Sequence, residues 1–441
     1  MDIILVFALS FVLLLFSILK GVFIGYSLIV CFLLFALLAF RKCFSIKEIL
    51  TMSYNGGKKV FLVLRIFVLI GAITAAWMAS GTVAGIVYYG IELMHPKFFF
   101  LYAFLICVIV SFLLGTAFGT VSTVGVALIV MAKGGGVNVN IAAGAIIAGA
   151  YFGDRSSPMS SSANLIATIT ETDLYTNIRN MFKTATFPFV ISIILYTLLS
   201  MVRPLNLMEN NLGQEITNIF FIDWRILIPA GIIIIFAFFR LDVKLSMLIS
   251  IMIASFLAVY IQAYSFAEIF RYIISGFYLK DPGPLNEIIR GGGILSMVNA
   301  SIIVFVSSSL SGLLEGAGIL DGLDGIFERI KTSSNLFLST IITAIVTAAF
   351  GCNQTMSIIL TNQLLKKSYD DKRIDKYQRA VDIENTSVVL APLIPWNIAL
   401  FVPTTTLMVS TTACIPYIFY LYLIPLINFV HLKLKEVYPT K

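Results

Sequence analysis

The sequence predicts an all-α polytopic membrane protein of about eleven to thirteen transmembrane helices, built as two structural repeats with broken helices or re-entrant hairpins. Composition is the first of three observations behind this. Hydrophobic residues make up 59% of the 441 and charged residues 12%, whereas a soluble domain carries about 25% charged residues. So much apolar side chain needs lipid as its solvent. The second observation is length: runs of about 20 apolar residues, enough to cross roughly 30 Å of hydrocarbon, recur along the whole chain. The third is an internal repeat. SGTVAG (Ser80–Gly85) returns as SGLLEG (Ser311–Gly316), TAFGTVST (Thr116–Thr123) as AAFGCNQT (Ala348–Thr355), and SPMSSSAN (Ser157–Asn164) as APLIPWN (Ala391–Asn397). The offsets between their first residues are 231, 232 and 234 (311 − 80, 348 − 116, 391 − 157). Order and spacing recur together.

The chain opens on Met1 and Asp2 and turns apolar at once. A signal peptide's basic segment and cleavage site are missing, so 3–19 is expected to remain as a span, followed by 21–40. Arg41, Lys42, Lys47, Lys58 and Lys59 come next, opposed there only by Glu48, and close an N-terminal scaffold at 1–59. A first transport repeat at 60–184 holds the runs 60–90, 98–132 and 141–170. Connecting scaffold helices at 185–290 hold 185–202, 225–239 and 245–262, with 203–224 and 263–292 as interfacial connections. A second transport repeat at 291–412 holds 293–313, 335–365 and 385–412, and 413–441 supplies the span 413–433 and a tail. The net charge of +7 collects in the 41–59 segment and in KKSYDDKRIDKYQR (Lys366–Arg379). Such clusters mark the cytoplasmic side of spans, and no basic folded face for nucleic acid exists. The five cysteines, Cys31, Cys43, Cys107, Cys352 and Cys414, are scattered without metal or disulfide spacing.

Two runs are too long for one crossing. Residues 98–132 contain no charged residue over 35 positions; a single helix there would reach about 52 Å at 1.5 Å per residue. Residues 335–365 repeat the problem. Both carry a small polar cluster near the middle, Gly115–Thr123 and Gly351–Ser357, where a hairpin or a break would fall. Freed backbone groups there must face protein or a water-filled cavity. Duplicated halves of this kind characterise secondary transporters, which place substrate near the midplane where the halves meet. An inverted relation between the halves is expected.

The densest motif is GAYFGDRSSPMSSSANLIA (Gly149–Ala167). A charge at membrane depth normally faces a cavity or marks an ion path, and Pro158 opens the helix. Asp154 is the candidate carboxylate that alternates between proton and cation. The hydroxyls of Ser157, Ser160 and Ser161, with Asn164, are hard oxygen ligands suited to Na⁺, Asp154 and Ser157 being the expected transient Na⁺ ligands. The alternative is a solvated loop with Asp154 and Arg155 paired. DIENTSVVLAPLIPWNIAL (Asp382–Leu400) offers Glu384 as a second carboxylate nearer the cavity mouth, or as a helix N-terminal acid. Asn385 follows, with Trp396 as a gate or interface anchor and Asn397 beside it. Thr120, Ser122 and Thr123 in one repeat, and Asn353, Gln354 and Thr355 in the other, supply further oxygens, unless they only bond helix to helix. No HExxH, Walker loop or GxSxG occurs, and His95 and His431 lie at span ends, so the sequence points to neither an enzyme nor an ATP-driven pump.

At these motifs the sequence resembles the NhaC family of sodium/proton antiporters, within the ion transporter superfamily. YFGDRSSPMSSSANLIATITETDLYTNIRNM (Tyr151–Met181) and APLIPWN (Ala391–Asn397) carry the resemblance over roughly residues 60–420. FGTVST and LLEGAGIL (Leu313–Leu320) agree less specifically. Asp154, Ser157, Pro158, Ser160 and Asn164 match the family pattern GDKMSPLSDTTNLA. The resemblance implies Na⁺/H⁺ antiport in a bacterial plasma membrane by alternating access, with Na⁺ and/or H⁺ as coupling ions and no cofactor. Expected partners are the lipid bilayer and a small ion or small molecule, with a homodimer left open. Two departures stand out: Ser161 and Asn385 occupy positions where the family pattern has Asp. Loss of two carboxylates makes cation-coupled transport of an amino acid or other small organic solute the alternative; an ion channel is the reading of a different class.

Overall fold

A computed structural model describes residues 3–58, 60–205, 212–279, 284–319 and 332–437. The remainder includes parts of the two connections at 203–224 and 263–292, Leu320 of LLEGAGIL, Lys59 and both chain ends; expectations on those residues lie outside the described part. Among the described residues the chain is helical without strands: α1 Ile3–Lys20, α2 Ile24–Arg41, α3 Ile46–Lys58, α4 Phe61–Ala79, α5 Thr82–Leu93, α6 Phe99–Leu114, α7 Ala117–Gly134, α8 Val139–Ser156, α9 Ser161–Thr170 and α10 Leu174–Val202. After Val202 come α11 Leu212–Ile219, α12 Ile228–Phe238, α13 Val243–Tyr260, α14 Phe266–Ser275, α15 Val298–Gly316, α16 Ser333–Gly351, α17 Gln354–Asp371, α18 Lys376–Leu393, α19 Ile398–Leu407, α20 Thr411–Tyr417 and α21 Phe419–Val437. Among the described residues seven helices are long and apolar enough to cross a membrane, and up to eleven spans result if each bent pair counts as one. The polytopic all-α class is therefore as the composition requires.

The basic segment after Arg41, which the sequence leaves between two apolar runs, is largely helical: α3 folds inward and packs on α15. A Cβ on Gly312 would lie 2.6 Å from Gly56 Cα and 2.6 Å from Met52 O, an approach open only to glycine on both helices. Its basic residues stay on the outer face.

The repeat is more regular than its residues suggest. Left-handed backbone turns at Gly81, Gly115, Gly136 and Glu171 (φ 75°, 66°, 66° and 57°) recur at Gly318, Cys352, Arg373 and Met408 (φ 55°, 49°, 53° and 55°). Each pair is 237 residues apart (318 − 81, 352 − 115, 373 − 136, 408 − 171). The helix bounds of α4 and α15, α8 and α18, and α9 and α19 shift by the same 237. The offsets of 231 to 234 taken from residue strings are thus out of register. Small residues suit any close helix contact, so such strings slide; a left-handed turn has one place.

The two overlong runs are helical hairpins. In the second, Thr347 Oγ1 bonds Ser357 Oγ and Thr361 Oγ1 (both 3.1 Å), while Thr340 Oγ1 bonds Tyr369 Oη (3.0 Å). Stepping back from the tip on α16 means stepping forward on α17, so the limbs are antiparallel. The tips match: Thr116 and Asn353 adopt φ/ψ of −148°/129° and −144°/132° after their left-handed residues, and each side chain caps the helix that follows.

The hairpins enter from opposite faces. The foot of the first is tied to the end of α10 by Leu205 N–H donating to Pro96 O (3.1 Å). The foot of the second lies near the start of α10, where Lys376 Nζ donates to Glu171 O (2.7 Å). Between those ends α10 runs 29 residues, about 43 Å, a full crossing. The repeats are therefore inverted. The charge agrees: the basic stretch 366–379 has as its repeat counterpart 129–142, whose only charged residue is Lys133, as expected of opposite faces.

Candidate functional site

Both hairpin tips and both helix breaks meet in one place. The break between α8 and α9 docks on the first tip, with Ser157 Oγ donating to Phe112 O (2.6 Å). The break between α18 and α19 docks on the second. There Trp396 Nε1 donates to Ala349 O (2.6 Å), Asn397 Nδ2 to Ala348 O (2.8 Å) and Ile398 N–H to Cys352 O (3.0 Å). Carbonyls freed at the end of α16 thus find donors inside the protein, as buried backbone must.

Between the tips is a cavity of about 310 Å³. It is lined by five repeat-related pairs: Thr116 and Asn353, Ala117 and Gln354, Phe118 and Thr355, Ser161 and Ile398, Ser162 and Ala399. A cavity whose walls are exchanged by the repeat operation lies on the axis that relates the halves. Its chemistry is one-sided. The first repeat supplies Ser161, Ser162 and the carboxylate of Asp154, while the polar tip is that of the second, Asn353, Gln354 and Thr355. Asp154 is nearly buried; its Oδ2 accepts from Gln354 Nε2 (2.8 Å) and Ser162 Oγ (3.4 Å). One acid from one half is held by an amide from the other.

Residues 149–432 match the Na⁺/H⁺ antiporter family. The chain belongs to that family. Its full-length relatives agree. It is 30% identical to the Na⁺/H⁺ antiporter NhaC of Bacillus subtilis, over 87% of this chain and 86% of that protein. It is 31% identical to the malate-2H⁺/Na⁺-lactate antiporter of the same organism, over 84% and 81%. It is 28% identical to the arginine/ornithine antiporter ArcD of Halobacterium salinarum, over 82% and 75%. Membership in an antiporter family makes the chain a transporter rather than an enzyme.

For a member of this family, the residues singled out from sequence divide sharply. Asp154, Ser161, Asn353, Gln354 and Thr355 line the cavity. Ser162, Thr116 and Tyr151 line it too. Ser162 was hidden in a run of identical serines, where only the helix start at Ser161 decides which hydroxyl faces inward.

The others do structural work. Ser157, expected on Na⁺, spends its hydroxyl on Phe112 O, and Ser160 caps α9, accepting from Ser162 and Ala163 N–H (3.1 and 3.2 Å) and donating to Asp154 O. Asn164 is exposed and bonds Pro158 O and Ser160 O (3.1 and 2.7 Å). Thr120, Ser122 and Thr123 donate to carbonyls of their own helix (2.9, 3.2 and 2.7 Å) around a π-turn at Val121–Gly125. Trp396 is buried against the break, its indole tied to Ala349 O, and it does not line the cavity; Asn397 caps α19.

Arg155 does not pair with Asp154. It is fully buried and turns the other way, donating to Ser156 Oγ (3.1 Å), Met181 O (3.2 Å), Thr184 Oγ1 (3.0 Å) and Asn385 Oδ1. Asn385 is therefore a partner of Arg155, not a cavity ligand. Glu384 is neither at a mouth nor at a helix start: it lies eight residues into α18, fully buried.

Proposed function

We propose that the cavity exchanges Na⁺ for H⁺ by alternating access, with Asp154 as the carboxyl that both ions share. The observation that supports this most is the placement of Asp154: a single acid on the axis between inverted repeats, faced by neutral oxygens. An ionised carboxylate at that depth is costly without a partner, so it holds either a proton or a cation. Na⁺ suits the second state, because Ser161, Ser162 and Thr355 offer hydroxyl oxygens and Asn353 and Gln354 amide oxygens, all hard ligands. Gln354 now presents its Nε2 to Asp154; a flip of the amide presents Oε1 to a cation instead. Proton and Na⁺ then compete for one group, and rocking of the hairpins exposes it to each face in turn.

Purified protein in liposomes with a trapped pH dye tests this. An outward-to-inward Na⁺ gradient is expected to drive proton efflux, and an equal K⁺ gradient is not. If malate, lactate or arginine drives uptake while Na⁺ moves no protons, the cavity serves the organic solute and the reading fails. Ser161→Asp adds a carboxylate at the cavity wall. It is expected to raise apparent Na⁺ affinity about tenfold, roughly 1.4 kcal/mol; an unchanged Na⁺ dependence argues that Ser161 does not face the ion.

A further inference from the structure

A second buried acid lies outside the cavity and has no partner. Glu384 is 0% exposed, and neither Oε1 nor Oε2 has a hydrogen bond. Beside it stands a cation that is only partly used: Arg155 bonds through its terminal nitrogens, while its Nε, also buried, has no acceptor. Ser387 Oγ, three residues after Glu384 in the same helix, is orphaned too. Buried polar groups are nearly always paired, so several unpaired ones around one acid and one base mark a place that changes state.

The backbone marks the same place. Glu384–Val388 is a π-turn, a feature concentrated at functional positions. The repeat says what is special about it. The counterpart of Glu384 is Ile147 (384 − 147 = 237), in regular helix, and the counterpart of Asp154 is Ala391 (391 − 154 = 237). Each half therefore carries an acid where the other half is apolar. Glu384 is not a second copy of the Asp154 site; it is a different site, on the other half of the fold.

The charged groups that act on Glu384 are Arg155 and Asp154, both on α8. Asp382, on its own helix, is turned to the second hairpin and held by Tyr369 Oη (2.8 Å) and Gln378 Nε2 (2.7 Å). From α21 comes Tyr420, beside Arg155; Tyr369 of α17 faces Asp382 instead. A buried ionised carboxylate with two bare oxygens is strongly disfavoured, and two things on the page relieve it: a proton, or the guanidinium of Arg155.

We propose that Glu384 is a proton-binding site separate from the cavity and that each transport cycle carries a second proton on it, with Arg155 as its alternating counter-charge. With Arg155 on Asn385, Glu384 holds its proton. When the proton leaves to the facing side, Arg155 turns its free Nε edge to the carboxylate, and the buried charge is balanced. One proton then moves on Glu384 and one on Asp154 for each Na⁺, so exchange moves net charge. The proposal rests on the Na⁺/H⁺ reading above.

The test has a transport arm and a spectroscopic arm. In liposomes with a clamped membrane potential, the Na⁺ gradient that just stops proton flow gives the protons moved per Na⁺. Wild type is expected to be electrogenic; Glu384→Gln is expected to move one proton fewer per Na⁺ and to lose its response to potential, and Glu384→Asp to keep both. An unchanged ratio in Glu384→Gln overturns the proposal. Infrared difference spectra of detergent-solubilised protein taken across a pH step, without Na⁺, read the carboxyl directly. Beyond the band lost in Asp154→Asn, a second protonated-carboxyl band should persist in that variant, shift in Glu384→Asp and vanish in Glu384→Gln; bands indifferent to both Glu384 variants overturn the site. If wild type shows no Na⁺/H⁺ exchange, the earlier reading has failed, and the band still decides Glu384.

Discussion

Replacing Asp154 by Asn is expected to reduce Na⁺-driven proton movement to the level of empty liposomes while the protein stays folded. The change removes one thing. An amide has nearly the shape of a carboxyl, and its oxygen can accept from Gln354 and Ser162 as Oδ2 does now at 2.8 and 3.4 Å. The bonds that hold the break against the first hairpin come from Ser157 and Ser160 and are untouched. What an amide cannot do is bind a proton near neutral pH or balance a cation. Both bonds, each worth about 1 kcal/mol, keep an acceptor, and a buried acid is replaced by a neutral group, so the thermal midpoint should move by a few degrees at most. Exchange in Asp154→Asn within about tenfold of wild type, a difference of only about 1.4 kcal/mol in barrier, would show that the shared carboxyl is elsewhere. Asp154→Glu, which keeps the charge on a longer stem, is expected to retain partial exchange at altered Na⁺ affinity.

Much of the fold could be read from the chain because lipid makes severe demands. Apolar runs of fixed length announce spans, and a 35-residue run without charge must turn back or break. The residues at which it turns were harder. The first tip uses Gly115, the residue type that tolerates a left-handed turn, but the second uses Cys352 at φ 49°, for which no sequence rule exists. The repeat was visible for the same reason that its register was not. Motifs such as SG and FG recur because close helix packing favours small residues, and they recur at slightly wrong spacings. The backbone turns that share the true offset include Gly136 with Arg373 and Glu171 with Met408, pairs with nothing chemical in common.

The site was legible in kind and only partly in detail. A charge in an apolar run points to a cavity, and Asp154 is in one. Hydroxyls nearby say less, because each has a choice between an ion and the freed carbonyls of a broken helix. Ser157, Ser160, Asn164, Trp396 and Asn397 all serve the backbone, and that choice depends on where the helix ends fall. Arg155 illustrates the same limit. Adjacent in sequence to Asp154, it lies on another face of α8, since neighbours on a helix are about 100° apart.

Gly153→Leu is expected to prevent assembly of the first hairpin, with loss of monodisperse protein on extraction and of all exchange. The reason lies in how close two backbones come. On α8, a Cβ at Gly153 would overlap the carbonyl of Ser111 and the amide of Phe112, and one at Gly149 would overlap Phe104 O and lie 2.7 Å from Cys107 Cβ. The two glycines sit four apart and form one smooth strip along which α6 lies in parallel, an arrangement that lets helices touch in lipid where no hydrophobic force pulls them together. The obstacle in each case is backbone, which has no rotamer to yield. Gly153→Ala, the mildest version, should cost about 1–3 kcal/mol as an overpacked interior does, and should lower the thermal midpoint of detergent-solubilised protein. The effect on function is expected to exceed the effect on stability. Ser157 reaches Phe112 O only while that contact holds, so pushing α6 away moves the first tip, and with it Thr116 and Ala117, off the wall that faces Asp154. Gly213, with nothing within 4 Å of a Cβ, is the control: Gly213→Ala should leave both melting and exchange unchanged. If Gly153→Ala also melts and transports like wild type, the close packing of α6 on α8 does not set the position of the hairpin, and the geometry of the cavity must be held from the second repeat alone.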